Sequence, residues 1–283
     1  MQCCLLNRHR NFRILKVNDY IKRLEHSGIQ NAKQEALWLM SHALGVSHSE
    51  IFAHPEFSPY EQSVINAAIS RRENGEPLQY ILGTEDFYGR SFSVGHGVLI
   101  PRHDTETLIE GVKKCFNHDD DFKFLDWGTG SGCIAVTLLL EFPKSFGYML
   151  DISNDALKYA RENLSRYNLF NRSEIISRIN SAYIDLIISN PPYITSGEIQ
   201  GLMREVKDYE PHSALDGGSD GMKYYREIFD IAVKILKPKG YIIFETGNIN
   251  QVHEIEKMNN NFEAYCRIFD DGNFPRCLVL RRE

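Results

Sequence analysis

The chain has 283 residues, 42% hydrophobic and 25% charged, which is enough apolar sequence for a sizeable core in one large domain or two modest ones. A net charge of −6 argues against a nucleic-acid binder, which normally shows a basic face, although a local patch can hide in an acidic total. No run is long enough to span a membrane, and the apolar patch in Met1–Leu6 is too short for a signal segment.

Residues 1–14 read as a loosely ordered lead-in. Helical spacing starts at Val17, with Tyr20, Ile21 and Leu24 on one face and Ser27-Gly28 as the stop. Asn31 is a candidate cap for a second helix through Ala36, Leu37, Leu39, Met40 and Leu44. A short third helix follows from Ser47 to Phe52. Ser58 caps a fourth, whose apolar face carries Val64, Ile65, Ala68 and Ile69. These stripes are the core of a small all-helical domain, placed at residues 1–83.

Glycines and aromatics then crowd together between Gly75 and Thr107. Phe92-Ser93-Val94 and Val98-Leu99-Ile100 read as the arms of a β-hairpin in a linker over residues 84–105. Asp104 or Thr105 is the expected cap of the helix that follows, through Leu108, Ile109 and Val112. The cluster Arg102-His103-Asp104 reads equally as a solvated turn or as the wall of a cleft.

The third region, residues 106–283, alternates strands and helices. Strands are expected at Phe122–Leu125, Gly147–Leu150, Glu174–Ile179, Asp185–Ser189 and Tyr241–Glu245, with two closing strands near Ala264–Phe269 and Arg276–Leu280 that can pair antiparallel. Helices are expected at Cys133–Phe142, from a cap at Asn154, over Ser196–Val206, over Gly221–Leu236, and near Asn250–Met258. Such alternation specifies an α/β fold, a doubly wound and mostly parallel sheet with helices on both faces. The six cysteines, Cys3, Cys4, Cys115, Cys133, Cys266 and Cys277, have no metal-type spacing and read as free thiols of a reducing cytoplasm. No metal is expected.

Three features carry chemistry. Asp126-Trp127-Gly128-Thr129-Gly130-Ser131-Gly132 is a glycine-rich turn between a strand and a helix, where a ligand can touch the backbone and the helix N-terminus favours electron-rich groups. Asp151 ends the next strand, the position for gripping a ribose. Ser189-Asn190-Pro191-Pro192-Tyr193 follows a buried strand, and its two prolines forbid continuation as strand or helix. A tight βα turn and a rigid strand end are the plain readings of two of these features taken singly. In one sheet they suggest a nucleoside cofactor lying across the strand ends with its reactive atom near Asn190. A sulfonium cofactor fits, with Asp126 neutralising its methionine amino end. The acceptor is then a planar amide or amine nitrogen, whose N–H groups meet the Asn190 side-chain carbonyl and the Pro191 backbone carbonyl while Tyr193 flanks it. Proximity, and stabilisation of the positive charge growing on nitrogen, supply the rate.

These residues resemble a known family. The glycine-rich turn is similar to the cofactor loop of class I S-adenosylmethionine-dependent methyltransferases, which have a Rossmann-like sheet. Asn190-Pro191-Pro192-Tyr193 is similar to the signature of those that methylate amide or exocyclic amino nitrogens. From about Val17 to the C-terminus the chain resembles the peptide chain release factor glutamine methyltransferases, the HemK/PrmC family. Arg71-Arg72, Gly75–Ile81, Phe87-Tyr88-Gly89, Val98–Arg102, Thr105-Glu106, Asp151-Ile152-Ser153, Tyr209-Glu210-Pro211 and Ala214–Gly218 carry this likeness.

The resemblance implies a cytoplasmic enzyme that methylates the glutamine of the Gly-Gly-Gln loop in class I release factors. The helical domain and the hairpin would help to dock that partner. By position, Gly128, Thr129, Gly130, Ser131, Gly132 and Asp151 would hold S-adenosylmethionine and Asn190–Tyr193 the glutamine amide, with Arg102 and Thr105 bordering the cleft. The family places an acidic residue after the third strand against the adenine. Here only Asn180-Ser181-Ala182-Tyr183-Ile184 separates Ile179 from Asp185, and Asn180 takes that place. Two other readings stay open, an adenine-N6 methyltransferase for nucleic acid and a catalytically impaired protein-binding homologue. The acidic net charge speaks against the first. No dimer seam is evident and a monomer is the expectation.

Overall fold

The computed structural model describes residues 16–53, 56–178, 183–258 and 261–283, and divides into two units, residues 1–82 and 83–283. The lead-in over residues 1–14, Cys3, Cys4, and Asn180 lie outside the described residues.

In the first unit the expected helices are α1 (Val17–His26), α2 (Ala32–Leu44), α3 (His48–Ala53) and α4 (Pro59–Glu73), with a short α5 (Leu78–Leu82). Tyr20, Leu24, Leu39, Met40, Ile65 and Ile69 are fully buried between them. The start of α4 is a capping box, in which Ser58 Oγ accepts from Glu61 N and Glu61 accepts from Ser58 N. Asn31 is not a side-chain cap of α2, because its backbone lies outside the extended conformation a cap uses. Arg72 is buried against Glu35 at 2.5 Å, and Arg71 pairs with Glu76 at 2.6 Å. These residues of the family likeness therefore lock helices together.

The second unit opens with a hairpin of β1 (Thr84–Phe87) and β2 (Arg90–Ser93), not of the arms expected at 92–94 and 98–100. The turn is the dipeptide Tyr88-Gly89, both at positive φ (51° and 68°), the backbone that lets a two-residue loop match strand twist. Tyrosine is an unusual occupant of that conformation. It is held by Glu106 Oε1, which accepts from its amide at 2.7 Å. Val98 lies outside any strand and packs with Val94 on Ala156.

The rest of the unit runs α6 (Glu106–Cys115), β3 (Lys123–Trp127), α7 (Cys133–Glu141), β4 (Phe146–Leu150), α8 (Asn154–Arg166), β5 (Ser173–Ile176) and β6 (Ile184–Ser189). It continues with α9 (Arg204–Tyr209), α10 (Lys223–Ile235), β7 (Leu236–Glu245), α11 (Ile249–Lys257), β8 (Phe262–Phe269) and β9 (Pro275–Arg282). The sheet order is β5-β4-β3-β6-β7-β9-β8, parallel except where β9 pairs with β7 and β8. This is a doubly wound, Rossmann-like arrangement with helices on both faces of the sheet. Side chains alternate between two cores. Phe124, Leu186, Ile188 and Ile243 face α6, α7 and α8, whereas Leu125, Ile187 and Ile242 face α10 and α11.

Local expectations shift in three places. Ser153, not Asn154, caps α8, accepting from Ala156 N at 3.2 Å. Neither Asp104 nor Thr105 caps α6, because both lie in a 3₁₀ turn over His103–Thr105. The helix expected over 196–206 is a 3₁₀ turn at Ile199–Gly201 followed by α9. No helix among the described residues is long and apolar enough to cross a membrane.

Candidate active site at the carboxyl ends of the central strands

A cavity of about 910 Å³ lies over the carboxyl ends of β3, β4, β5 and β6. Its floor is the turn after β3. Gly128 N and Thr129 N donate to Leu150 O at 2.8 and 2.9 Å, and Gly130 N donates to Asp151 Oδ2 at 2.8 Å. Gly132 has φ of +80°, and a Cβ there would stand 2.9 Å from Met149 Cε and 3.4 Å from Ala160 Cα. The third glycine therefore allows α7 and α8 to close together on the sheet. Gly128, Thr129, Gly130, Ser131 and Asp151 all line the cavity, and Gly132 supports it from behind.

Asp126 does not line it, which corrects the expectation of a direct contact with a cofactor amino group. Its side chain is fully buried beneath the turn, where Oδ2 accepts from Thr129 Oγ1 at 2.6 Å and from Ala135 N at 3.2 Å. Among the described residues Oδ1 has no hydrogen-bond partner. Burial pushes this carboxyl up to about 7, against the two bonds that favour its charge. Asp151 is better placed. Its Oδ1 accepts from Ser153 N at 2.8 Å, it is only half-buried, and a carboxylate has lone pairs left over. Ile152, 80% exposed, stands beside it with Leu157 and Ile175 as apolar walls.

On the opposite side lies the strand end of β6. Ser189 Oγ donates to Trp127 O at 2.7 Å, tying this strand end to β3. Asn190 Nδ2 donates to Thr105 Oγ1 at 3.1 Å, and Oδ1 accepts from none of the described residues. Asn190, Pro192, Thr105 and Arg102 line the cavity, while Pro191 is buried. Tyr193 does not line it, a second correction. Its hydroxyl donates to Glu245 Oε1 at 3.2 Å, and its carbonyl accepts from Gln251 Nε2 at 2.9 Å. Tyr193 is thus a strut under the motif. Burial, then the Glu245 charge, raise its pKa.

The segment after α9 backs this motif. Gly217 N donates to Ile194 O at 2.7 Å, and Ile194 N donates to Leu215 O at 3.1 Å. Arg102 is held by the buried Glu210, which also accepts from Ile100 N at 3.4 Å. Glu210 stood in the sequence only as part of the likeness, with no role attached, and Glu245 only as the end of an expected strand. A signal was available for Glu245: like Asp126 and Asp151, it is an acidic residue at the carboxyl end of an apolar strand.

Two family models match the chain, one described as the PrmC N-terminal domain over residues 17–83 and one as a methyltransferase small domain over residues 104–206. The release factor glutamine methyltransferase of Koribacter versatilis is 38% identical over 270 residues, covering 93% of this chain and 95% of that protein. Those of Geobacter sulfurreducens and Nitratidesulfovibrio vulgaris are 39% and 38% identical, covering 83% and 80% of this chain and 84% and 79% of their own. At such identity over nearly the full length of both proteins, the chain belongs to the family of release factor glutamine methyltransferases.

Proposed function

We propose that this protein transfers the methyl group of S-adenosylmethionine to the side-chain amide nitrogen of the glutamine in the Gly-Gly-Gln motif of class I peptide chain release factors, in the cytoplasm. One observation carries the reading: Asn190 spends its N–H on Thr105 and keeps its carbonyl oxygen for a ligand at the cavity wall. A neutral amide nucleophile brings N–H groups to such an acceptor, and hydrogen bonds from them strengthen as positive charge grows on the nitrogen.

The residues present fit the cofactor. The cavity is within the size range of small-molecule sites. The turn from Gly128 to Ser131 offers backbone to a ligand at the start of α7, and Asp151 offers a carboxylate for ribose hydroxyls. Bound S-adenosylmethionine supplies an electrophilic methyl group on sulfur. Asn190 Oδ1 holds the substrate amide by its N–H groups, while Pro191, buried and not among the cavity-lining residues, fixes the strand end instead of contacting the substrate as expected. Arg102 and Thr105 border the cleft, and residues 17–83 contribute to docking the release factor.

The test is incubation with methyl-labelled cofactor and either a release factor or DNA. Label on the release factor, lost when its motif glutamine is replaced, supports the reading. Label on DNA alone would instead establish a nucleic-acid methyltransferase. The Asn190→Ala variant is expected to lose roughly 100-fold or more in kcat while keeping its affinity for S-adenosylmethionine by calorimetry.

A further inference from the structure

Asn190 is anchored from two sides. On one, Ser189 Oγ donates to Trp127 O at 2.7 Å. On the other, the chain runs through Pro191 and Pro192, whose rings fix φ and restrict the residue before each. A peptide held at Tyr193 is therefore felt at Asn190. The group that holds it comes from α11.

Gln251 is the third residue of α11, after Asn248, whose side chain caps the helix by accepting from Gln251 N at 3.0 Å. Glutamine at this position commonly reaches back to the amide of the cap. Gln251 instead bridges two other groups. Its Nε2 donates to Tyr193 O at 2.9 Å, and its Oε1 accepts from Gly247 N at 2.9 Å. A backbone carbonyl only accepts and a backbone N–H only donates, so these partners fix which way round the carboxamide lies. Gln251 is buried, 8% exposed. Two glycines leave just enough room for the bridge. A Cβ on Gly221 would stand 2.5 Å from Tyr193 O and 2.9 Å from Gln251 Nε2, and one on Gly247 would stand 2.8 Å from Tyr193 Cδ2 and 3.1 Å from Gln251 Oε1.

We propose that Gln251 is a positioning residue for methyl transfer: by gripping the Tyr193 carbonyl it holds, through the two prolines, the Asn190 carbonyl oxygen where the substrate amide meets it. The proposal rests on the functional reading above and deepens it, because it concerns how the acceptor nitrogen is aligned.

A carboxyl group of the same shape separates this role from simple packing. Protonated, the side chain of Gln251→Glu can donate to Tyr193 O and accept from Gly247 N. Ionised, it only accepts, and it sets a negative oxygen against the Tyr193 carbonyl. Burial and that carbonyl both hold the introduced carboxyl above its ordinary value of about 4.3. The titratable and charged groups around the bridge come from several elements. Tyr193 donates to Glu245 at the end of β7, Tyr225 of α10 donates to the Glu245 carbonyl, and Arg276 of β9 donates to Gly247 O at 3.2 Å. Asp220 and Lys223 lie on either side of Gly221, and His253 and Glu254 follow on α11 itself. Burial pushes Glu245 up to about 7, so each variant is compared with wild type at the same pH.

The experiment measures kcat and KM for methyl transfer to a release factor between pH 5.5 and 8.5 for the wild type, Gln251→Met and Gln251→Glu. Rates are expressed per folded molecule from circular dichroism, and S-adenosylmethionine affinity is measured by calorimetry. Gln251→Met, of similar shape but without the two bonds, is expected to lower kcat about 100-fold at every pH, with cofactor affinity unchanged and KM for the release factor within about threefold of wild type. Gln251→Glu is expected to show the same loss at pH 8.5 and to recover to within about tenfold of wild type at pH 5.5. A wild-type kcat per folded molecule in Gln251→Met, a Gln251→Glu to wild-type ratio that does not change with pH, or a loss that falls on cofactor affinity alone would each overturn the proposal. If Gln251→Met does not fold, the pH dependence of the Gln251→Glu ratio decides it. A wild type that labels no release factor overturns the functional reading itself, a distinct result from active wild type with unaffected variants.

Discussion

Arg102 and Glu210 form an ion pair at the cavity wall although 108 residues separate them. The carboxylate is 4% exposed while the guanidinium reaches the cavity, so Glu210 is the anchor and Arg102 the exposed end. Burial raises the Glu210 pKa, and Arg102 is the largest opposing influence. Arg102→Ala removes that influence and moves the folded-state pKa further up. A carboxyl raised in the folded state contributes stability that is present below its unfolded pKa and lost as pH rises through the folded one. The variant is therefore expected to be about 2 kcal/mol less stable than wild type at pH 8, and closer to it at pH 5. Urea unfolding at both values measures this, and an equal deficit at both would refute it.

The same sign governs Asp126. Its carboxyl, at about 7 in the fold against an ordinary 3.8, favours the folded state below pH 4 and loses that contribution as pH approaches 7. Such a displacement corresponds to roughly 4 kcal/mol. Glu245 acts in the same direction. The protein without ligand is expected to unfold at lower urea at pH 8 than at pH 5.5. Asp126→Asn is expected to flatten the difference, and a wild type more resistant at pH 8 would contradict the assignment.

The α/β order was legible because strands such as Ile184–Ser189 are buried on both faces and read as continuous apolar runs. The Asn-Pro-Pro-Tyr element was legible because its prolines can only end a strand. What lay hidden depends on partners distant in sequence. Nothing local shows that Tyr193 turns beneath the motif to Glu245, 52 residues on, or that Asp126 points under its turn instead of into the cavity. The hairpin was displaced because Tyr88-Gly89 lacks the Asn-Gly or Asp-Gly signal of its turn type. Its left-handed tyrosine is held by Glu106, another non-local contact.

Asp151 joins the turn after β3 to the turn before α8 at the cavity floor, accepting from Gly130 N and from Ser153 N. Asp151→Ala removes a charged acceptor from both backbone groups and from any ribose hydroxyl. Hydrogen bonds to charged groups contribute about 1.5–3 kcal/mol, so S-adenosylmethionine affinity is expected to fall roughly 10- to 100-fold. Calorimetric titration reads this directly, and an unchanged Kd would remove Asp151 from the cofactor site.

Gly217 tests how rigidly the Asn190 motif must be backed. A Cβ there would fall 2.7 Å from Pro192 O and 2.8 Å from Tyr193 Cα, both backbone atoms that cannot swing aside as a side chain would. Room can be made only by moving the strand end that carries Asn190, or by breaking the bonds between Ile194 and the segment from Leu215 to Gly217. Overpacking of this kind costs about 1–3 kcal/mol in stability. A displacement of about 1 Å at a reacting group can cost roughly 100-fold in rate. Gly217→Ala is therefore expected to bind S-adenosylmethionine normally, to unfold at modestly lower urea, and to transfer methyl groups at least tenfold more slowly. Gly201→Ala is the matched control, since a Cβ there meets nothing within 4 Å. If both alanine variants transfer at the wild-type rate, the motif tolerates movement, and rigid positioning of the acceptor amide is not the source of the rate.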